Sequence, residues 1–411
     1  MREMKDSGVE WIGKIPLNWN ISKIDQLYTP RNTKVSDIDY QPLSVTMQGI
    51  VPQLESAAKT NAHDSRKLVM KGDFAINSRS DRRGSCGISE YTGSVSLINT
   101  VLKPKEDMNA RYYNWLFHAS MFSDEFYRWG HGIVDDLWST GWQEMKKISI
   151  PSPSLQEQHK IADFLDQKCS EIDALTADIQ TQIETLEEYK KSVITEAVTK
   201  GLDPNVEMKD SGVEWIGKIP ADWDVFKGKY VLKYLQKPVK KEDDVITCFR
   251  DGEVTLRKNR REDGFTMSDK EIGYQGVDVG DLVIHGMDGF AGAIGISDSR
   301  GKASPVLNVL DSSMVKKFLM YYLRSMAYGN VFTAIATGIR VRSCDLRWNK
   351  LANLPYPLPP FEEQRQIADF LDQKCSEIDQ TISEKQQQLE TLAEYKKSLI
   401  YEYVTGKKEV S

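Results

Sequence analysis

The sequence predicts an α+β protein made twice over. It has two globular bodies joined by two long helices, which form an antiparallel coiled coil in a pseudo-twofold duplication. Three observations lead there. Residues 4–16 and 208–220 both read MKDSGVEWIGKIP. The stretch EQHKIADFLDQKCSEID (157–173) returns as EQRQIADFLDQKCSEID (363–379), and ETLEEYKKSVI (184–194) returns as ETLAEYKKSLI (390–400). The offset holds at 204 to 206 residues throughout, and two copies at so long a period mean duplication, not a solenoid.

Each half runs in the same order: a shared opening, a private body, a proline-rich joint and a shared helical segment. The bodies, about 17–150 and 221–350, carry short strand patterns between Gly- and Asp-rich turns, such as DFAIN (73–77) and DLVIH (281–285). A helix is expected in each, around 112–121 and 315–326. KGDFAIN pairs with VGDLVIH, and GISEYTG (87–93) with GISDSRG (295–301), at equal spacing. The bodies therefore read as one fold with two surfaces.

The joints are ISIPSPSLQEQ (148–158) and LPYPLPPFEEQ (354–364). Proline disfavours helix before it and suits the first turn after it, and Ser154 with Glu157 gives a capping-box pattern. Beyond the joints, apolar residues recur in steps of three, four and seven, which is a coiled-coil seam. The first stripe is Ile161, Leu165, Ile172, Leu175, Ile179, Leu186, Tyr189 and Val193. The second is Ile367, Leu371, Ile378, Ile382, Leu389, Leu392, Tyr395 and Leu399. Gly201 with Pro204, and Gly406, mark the helix ends. Trp11 and Trp215, with Ile12 and Ile216, are expected to pack on these helices.

The net charge of -6 would argue against a nucleic-acid partner if it were spread evenly. It is not. Residues 17–150 and 221–350 carry +1 and +4, whereas 151–207 and 357–411 carry -7 and -4. The acidity belongs to the helices, so a basic face on either body remains possible. Mean hydropathy is -0.48, and no apolar run reaches membrane-spanning length. Neither a secretory leader nor a CxxC spacing among the five cysteines is visible, which points to reduced thiols and a cytoplasmic setting.

Enzyme signatures fail. NLPYP (353–357) resembles the Asn-Pro-Pro-Tyr motif of amino-group methyltransferases, but it has Leu354 in place of the first proline and sits in a duplicated joint. The Glu-x-Lys triplets follow no strand-borne Pro-Asp, and the five histidines lack metal-ligand spacing. HGMDGFAGAIG (285–295) lacks G-x-G-x-x-G spacing and a Walker lysine.

DNA-contact chemistry is more promising. NSRSDRRGSCG (77–87) puts Arg79, Arg82 and Arg83 on a loop between strands, where guanidinium groups can read guanine or hold phosphate. CFRDGEVTLRKNRR (248–261) and ATGIRVRSCDLRW (336–348) add basic residues in the second body, with Arg340 and Arg342 on one face of an extended segment. The candidate contact set is Gln48, Arg79, Arg82, Arg83, Arg250, Arg257, His285, Arg340 and Arg342.

Two private bodies, each preceded by GVEWIGKIP and followed by a proline-rich joint and an EQ…IADFLD helix, make the whole chain resemble the specificity subunit of type I restriction-modification systems. The resemblance implies two target-recognition domains, each reading one half of a bipartite asymmetric site in double-stranded DNA, with the coiled coil setting the spacer. It divides the chain into a first recognition domain (1–153), first helix and linker (154–207), second recognition domain (208–359) and second helix (360–411). It implies a non-catalytic chain that recruits two methyltransferase subunits and restriction/translocase subunits. S-adenosylmethionine, ATP and magnesium would reside on those partners, with none on this chain and no membrane association. No base-reading motif carries over from the family. The competing expectation is a coiled-coil scaffold with two protein-binding heads and no DNA specificity.

Overall fold

A computed structural model describes residues 2–53, 63–132, 138–260, 271–335 and 346–410. The chain divides into two compact units: unit 1 is Met1–Gln180 with Gln386–Ser411, and unit 2 is Thr181–Lys385. The division cuts both long helices, Leu155–Lys200 and Phe361–Val404, so each unit holds one segment of each.

Identical opening sequences fold identically. Met4–Asp6 pairs antiparallel with Lys14–Pro16, and Met208–Asp210 with Lys218–Pro220. The strand that follows, Asn20–Lys23 or Asp224–Lys227, pairs with Ser149–Ser152 or Pro355–Leu358. The proline-rich joints are thus strands of two-stranded sheets, which tolerate the missing proline donor.

In the body of unit 1, a four-stranded sheet runs in the order Cys86–Ile88, Phe74–Asn77, Asn99–Pro104, Tyr28–Pro30. Unit 2 repeats it as Ile294–Ile296, Leu282–His285, Leu307–Asp311, Lys233–Tyr234. Helices Ala110–His118 and Ser120–Arg128 cover unit 1, and Lys316–Tyr328 covers unit 2. The shared "GD" ahead of the central strand has a clear cause. Asp73 accepts from Met70 N at 2.9 Å and pairs with Arg31 at 2.5 Å. Asp281 accepts from Asp278 N at 2.8 Å and pairs with Lys237 at 2.7 Å. The shared glycines have another. A Cβ on Gly87 would lie 2.7 Å from Gly49 Cα, and one on Gly295 1.9 Å from Gly252 O. At Gly93 and Gly301 it would lie 2.5 Å from the carbonyls of Gln41 and Asp244.

Each core continues from body to helices. In unit 1, Tyr28, Phe74, Phe117 and Phe122 pack with Ile161 and Leu165 of the first helix and Leu399 and Val404 of the second. In unit 2, Trp223, Phe318, Tyr322 and Tyr356 pack with Ile194 and Val198, and with Ile367 and Leu371. The helix segments are antiparallel within each unit. In unit 1 the Phe164 and Tyr403 rings lie 4.4 Å apart and Asp173 pairs with Lys396 at 2.5 Å. In unit 2 Lys385 reaches Gln182 at 2.5 Å and Lys190 pairs with Asp379 at 2.6 Å.

Of the predicted stripe, Ile161, Leu165, Ile172, Ile179, Ile367, Leu371, Ile378 and Ile382 are buried, and Leu186, Leu389 and Leu392 are half-buried. Leu175 is a correction: it is 47% exposed. The seam passes instead through Cys169, Thr176 and Ile183, one heptad apart, and Leu175 sits one residue, about 100°, to the side. Tyr189 and Tyr395 also face outward. Gly201 and Gly406 close the helices in left-handed conformation, φ +76° and +71°.

The two units are also bolted to their helices alike. Buried Gln158 donates to Pro153 O at 2.9 Å and accepts from Asn109 N at 2.8 Å. Buried Gln364 donates to Pro359 O at 2.8 Å and accepts from Val315 N at 3.1 Å. Trp115 Nε1 donates to Asp166 at 2.7 Å, and Tyr321 OH to Asp372 at 2.8 Å. The openings differ in cover. Trp11 is buried beside Phe122, ring centroids 5.8 Å apart. Trp215 is 43% exposed, so the expected packing of that ring is corrected.

Candidate nucleic-acid interface

In unit 1 the strand Phe74–Asn77 runs into a 3-10 turn, Ser80–Arg82, and the chain returns through Cys86–Ile88. Gly84, at φ +72°, permits the reversal. The turn is anchored from below: Asn77 Oδ1 accepts from Arg79 N at 3.1 Å, Ser80 N donates to Trp138 O at 3.1 Å, and Thr140 N to Ser78 O at 2.9 Å. A rigid base holds a charged tip.

The three arginines are not equivalent. Arg83 contacts Asp124 at 3.2 Å and lies 5.2 Å from the centroid of the Tyr127 ring. Arg79 and Arg82 share Asp81 at 3.5 and 3.6 Å, a loose sharing worth little at an exposed site. Arg82, 67% exposed, is the cation most available to an anionic ligand. Gln48 tops the neighbouring hairpin of Leu43–Thr46 and Gly49–Pro52, its N–H donating to Thr46 Oγ1 at 3.2 Å. Gln48, Arg82 and Arg83 line one concavity of about 600 Å³; Arg79 stands beside it.

In unit 2, Arg250 pairs with Asp288 at 2.8 Å. His285 Nδ1 accepts from Met287 N at 3.2 Å and Asp288 N at 2.9 Å, so this ring caps a turn. Burial lowers its pKa below the ordinary histidine value, opposed by Asp288, which suits a neutral acceptor. Asp288 therefore links Arg250 with His285. Arg257 lies apart, where the hairpin of Ile246–Cys248 and Val254–Leu256 ends, with Nε 3.3 Å from Thr247 Oγ1. Arg340 and Arg342 lie outside the described residues. The glycine tract passes through a 3-10 turn, Gly289–Ala291, into strand Ile294–Ile296, not into a phosphate-binding helix.

The sequence reading missed Arg66, Asn77 and Asn99, all buried and all lining the unit 1 concavity. Of the three, only Asn77 lies in a segment read from the sequence, the strand pattern at 73–77.

Residues 16–185 match the model of the type I restriction modification DNA specificity domain, a span that includes this turn and concavity. The first part of the chain thus matches a type I specificity domain, and the chain is similar to type I restriction enzyme specificity subunits. The type I restriction enzyme MjaVIII specificity subunit of Methanocaldococcus jannaschii is 29% identical over 77% of this chain and 75% of its own. A solved chain described under complex assembly and conformational transition of the type I R-M system superposes with TM-score 0.70 at 12% identity. It covers 95% of this chain and 98% of that one. The HsdS subunit from Thermoanaerobacter tengcongensis gives TM-score 0.52 at 14% identity, over 96% and 98% of the two chains. These two solved chains share the α+β fold described above. No helix among the described residues is long and apolar enough to cross a membrane.

If the Arg79–Arg83 turn meets DNA, replacing Arg79, Arg82 and Arg83 together by alanine weakens duplex binding and flattens its salt dependence. Each lost phosphate contact removes about 0.9 from the slope of log K against log salt. A titration across salt concentrations checks this, and an unaltered slope marks the turn as bystander surface.

Proposed function

We propose that this chain is the DNA-reading subunit of a type I restriction-modification complex, each recognition domain (1–153 and 208–359) contacting one half of a bipartite asymmetric site. The observation that carries this reading is one scaffold with two surfaces. Equivalent loops follow equivalent strands, yet one presents Arg79, Arg82 and Arg83 and the other His285, Met287 and Asp288. A pair of domains held by the same internal bonds and differing at their loops suits the reading of two unlike sequences.

On this reading the helices (154–207 and 360–411) set the unread spacer, and the shared segments give two methyltransferase subunits equivalent surfaces to dock on. Restriction/translocase subunits join the same complex in the cytoplasm. The methyl donor S-adenosylmethionine, together with ATP and magnesium, is held by those partners, and this chain contributes recognition without chemistry.

The test is to map methylated adenines across the host genome with and without this chain. The expected result is a single two-part motif with a fixed gap that vanishes on deletion. Retention of every methylated motif overturns the proposal.

A further inference from the structure

Arg66 is 5% exposed, and its charge has no acidic partner at ion-pair distance among the described residues. Its Nε donates to Ser94 Oγ at 2.8 Å and its Nη2 to Ser94 O at 3.0 Å, while no acceptor among the described residues meets Nη1. Burial lowers its pKa; the opposing influence is Asp37, which is itself engaged by His63 Nδ1 at 2.8 Å. A buried guanidinium without a counter-charge is costly to desolvate. Unit 2 shows the structural alternative. There Arg300, 26% exposed, is compensated by Asp243 at 2.8 Å and Asp278 at 2.6 Å.

The scaffold around Arg66 is otherwise shared. Val69 pairs with Gly93 as Val277 does with Gly301. Lys67 Nζ donates to Asn99 O at 2.7 Å, and Gln275 Nε2 to Leu307 O at 3.3 Å in the same role. In that frame the residue matching Arg66 is Tyr274. The buried cation is private to unit 1, as a residue serving a private ligand should be.

Arg66 lines the concavity below the Arg79–Arg83 turn, together with Asn77, Asp81, Arg82, Arg83 and Asn99. Asn99 is 5% exposed; its Nδ2 donates to Ser96 O at 3.1 Å, and its Oδ1 has no partner among the described residues. One hollow thus holds an uncompensated cation and an unused acceptor. At about 600 Å³ it has room for a nucleotide.

We propose that this concavity seats one nucleotide of the DNA bound by unit 1, its phosphate against Arg66 and an amino group on its base edge toward Asn99. The inference rests on the DNA-reading function above and names the subsite within it. Arg82 and Arg83 at the rim then steer the strand in, and Arg66 supplies the charge at the bottom.

The experiment uses the full chain and a duplex selected by the wild type from a random pool. Arg66→Met keeps the length of the side chain and removes the charge. A binding residue predicts a Tm equal to or above wild type, at least tenfold weaker binding, and a salt slope smaller by about 0.9. Duplexes bearing a neutral methylphosphonate at single positions give a second reading. The wild type is expected to lose affinity at one phosphate in the first half-site, and Arg66→Met to be indifferent there. A lowered Tm assigns Arg66 to the architecture and overturns the proposal. So does unchanged affinity, or undiminished sensitivity of the variant at every phosphate. If the wild type selects no duplex at all, the DNA-reading function fails instead, and the two failures stay distinct.

Discussion

Replacing Gln158 by leucine lowers the stability of unit 1 by roughly 2–6 kcal/mol, and Gln364→Leu does the same to unit 2. Leucine fills the space but offers no hydrogen bond. Gln158 satisfies Pro153 O and Asn109 N, and Gln364 satisfies Pro359 O and Val315 N. A buried backbone group left without its partner costs about 1–3 kcal/mol, and each substitution strands two. The readout is amide hydrogen exchange: Gln158→Leu accelerates the Asn109 amide and leaves Val315 unchanged, and Gln364→Leu does the reverse. Equal acceleration at both amides would contradict two separately closed latches.

The second large effect concerns specificity. Removing one heptad from each long helix, at matched positions such as 172–178 and 378–384, is expected to change the preferred spacer while both half-sites keep their sequence. Seven residues at 1.5 Å each take out about 10.5 Å, equivalent to about three base pairs at 3.4 Å per step. Selection of duplexes by wild type and variant reads the gap directly. An unchanged gap rejects the helices as the ruler. Loss of one half-site motif also counts against it, since the recognition surfaces are untouched.

The repeats carried most of the architecture. Wherever a residue has the same partner in both units, the two copies matched and the comparison could be made by eye: the paired openings, the "GD" before the central strand, the tight glycines at 87, 93, 295 and 301. Other features were hidden because they depend on partners remote in sequence. The proline-rich joints look like spacers until Ser149–Ser152 meets Asn20–Lys23. Leu175 fits a count of apolar steps, and only the course of the seam past Thr176 shows it facing water. Trp11 and Trp215 share thirteen surrounding residues, yet one is covered and the other is not, because the ring beside Trp11 comes from Phe122, outside the repeat.

The candidate site was legible to a similar depth. A charged loop between two strands announces itself by composition, so the Arg79–Arg83 turn was found. Arg66 was not, because "SRKLV" reads as an ordinary half-exposed strand. Its burial is made by Ser94, 28 residues away. Exposed chemistry is written locally; buried chemistry is written in pairs.

The lysine–aspartate pairs between the helix segments carry a consequence for inheritance. Lys396 belongs to the second copy of the repeat and Asp173 to the first, while Lys190 and Asp379 reverse that parentage. Neither copy can change its lysine or aspartate without breaking a bridge completed by the other. A gene that repairs the altered copy against the other restores the broken bridge. Mutual dependence of this kind gives a physical reason for stretches two hundred residues apart to be corrected together, while the bodies between them are free to diverge.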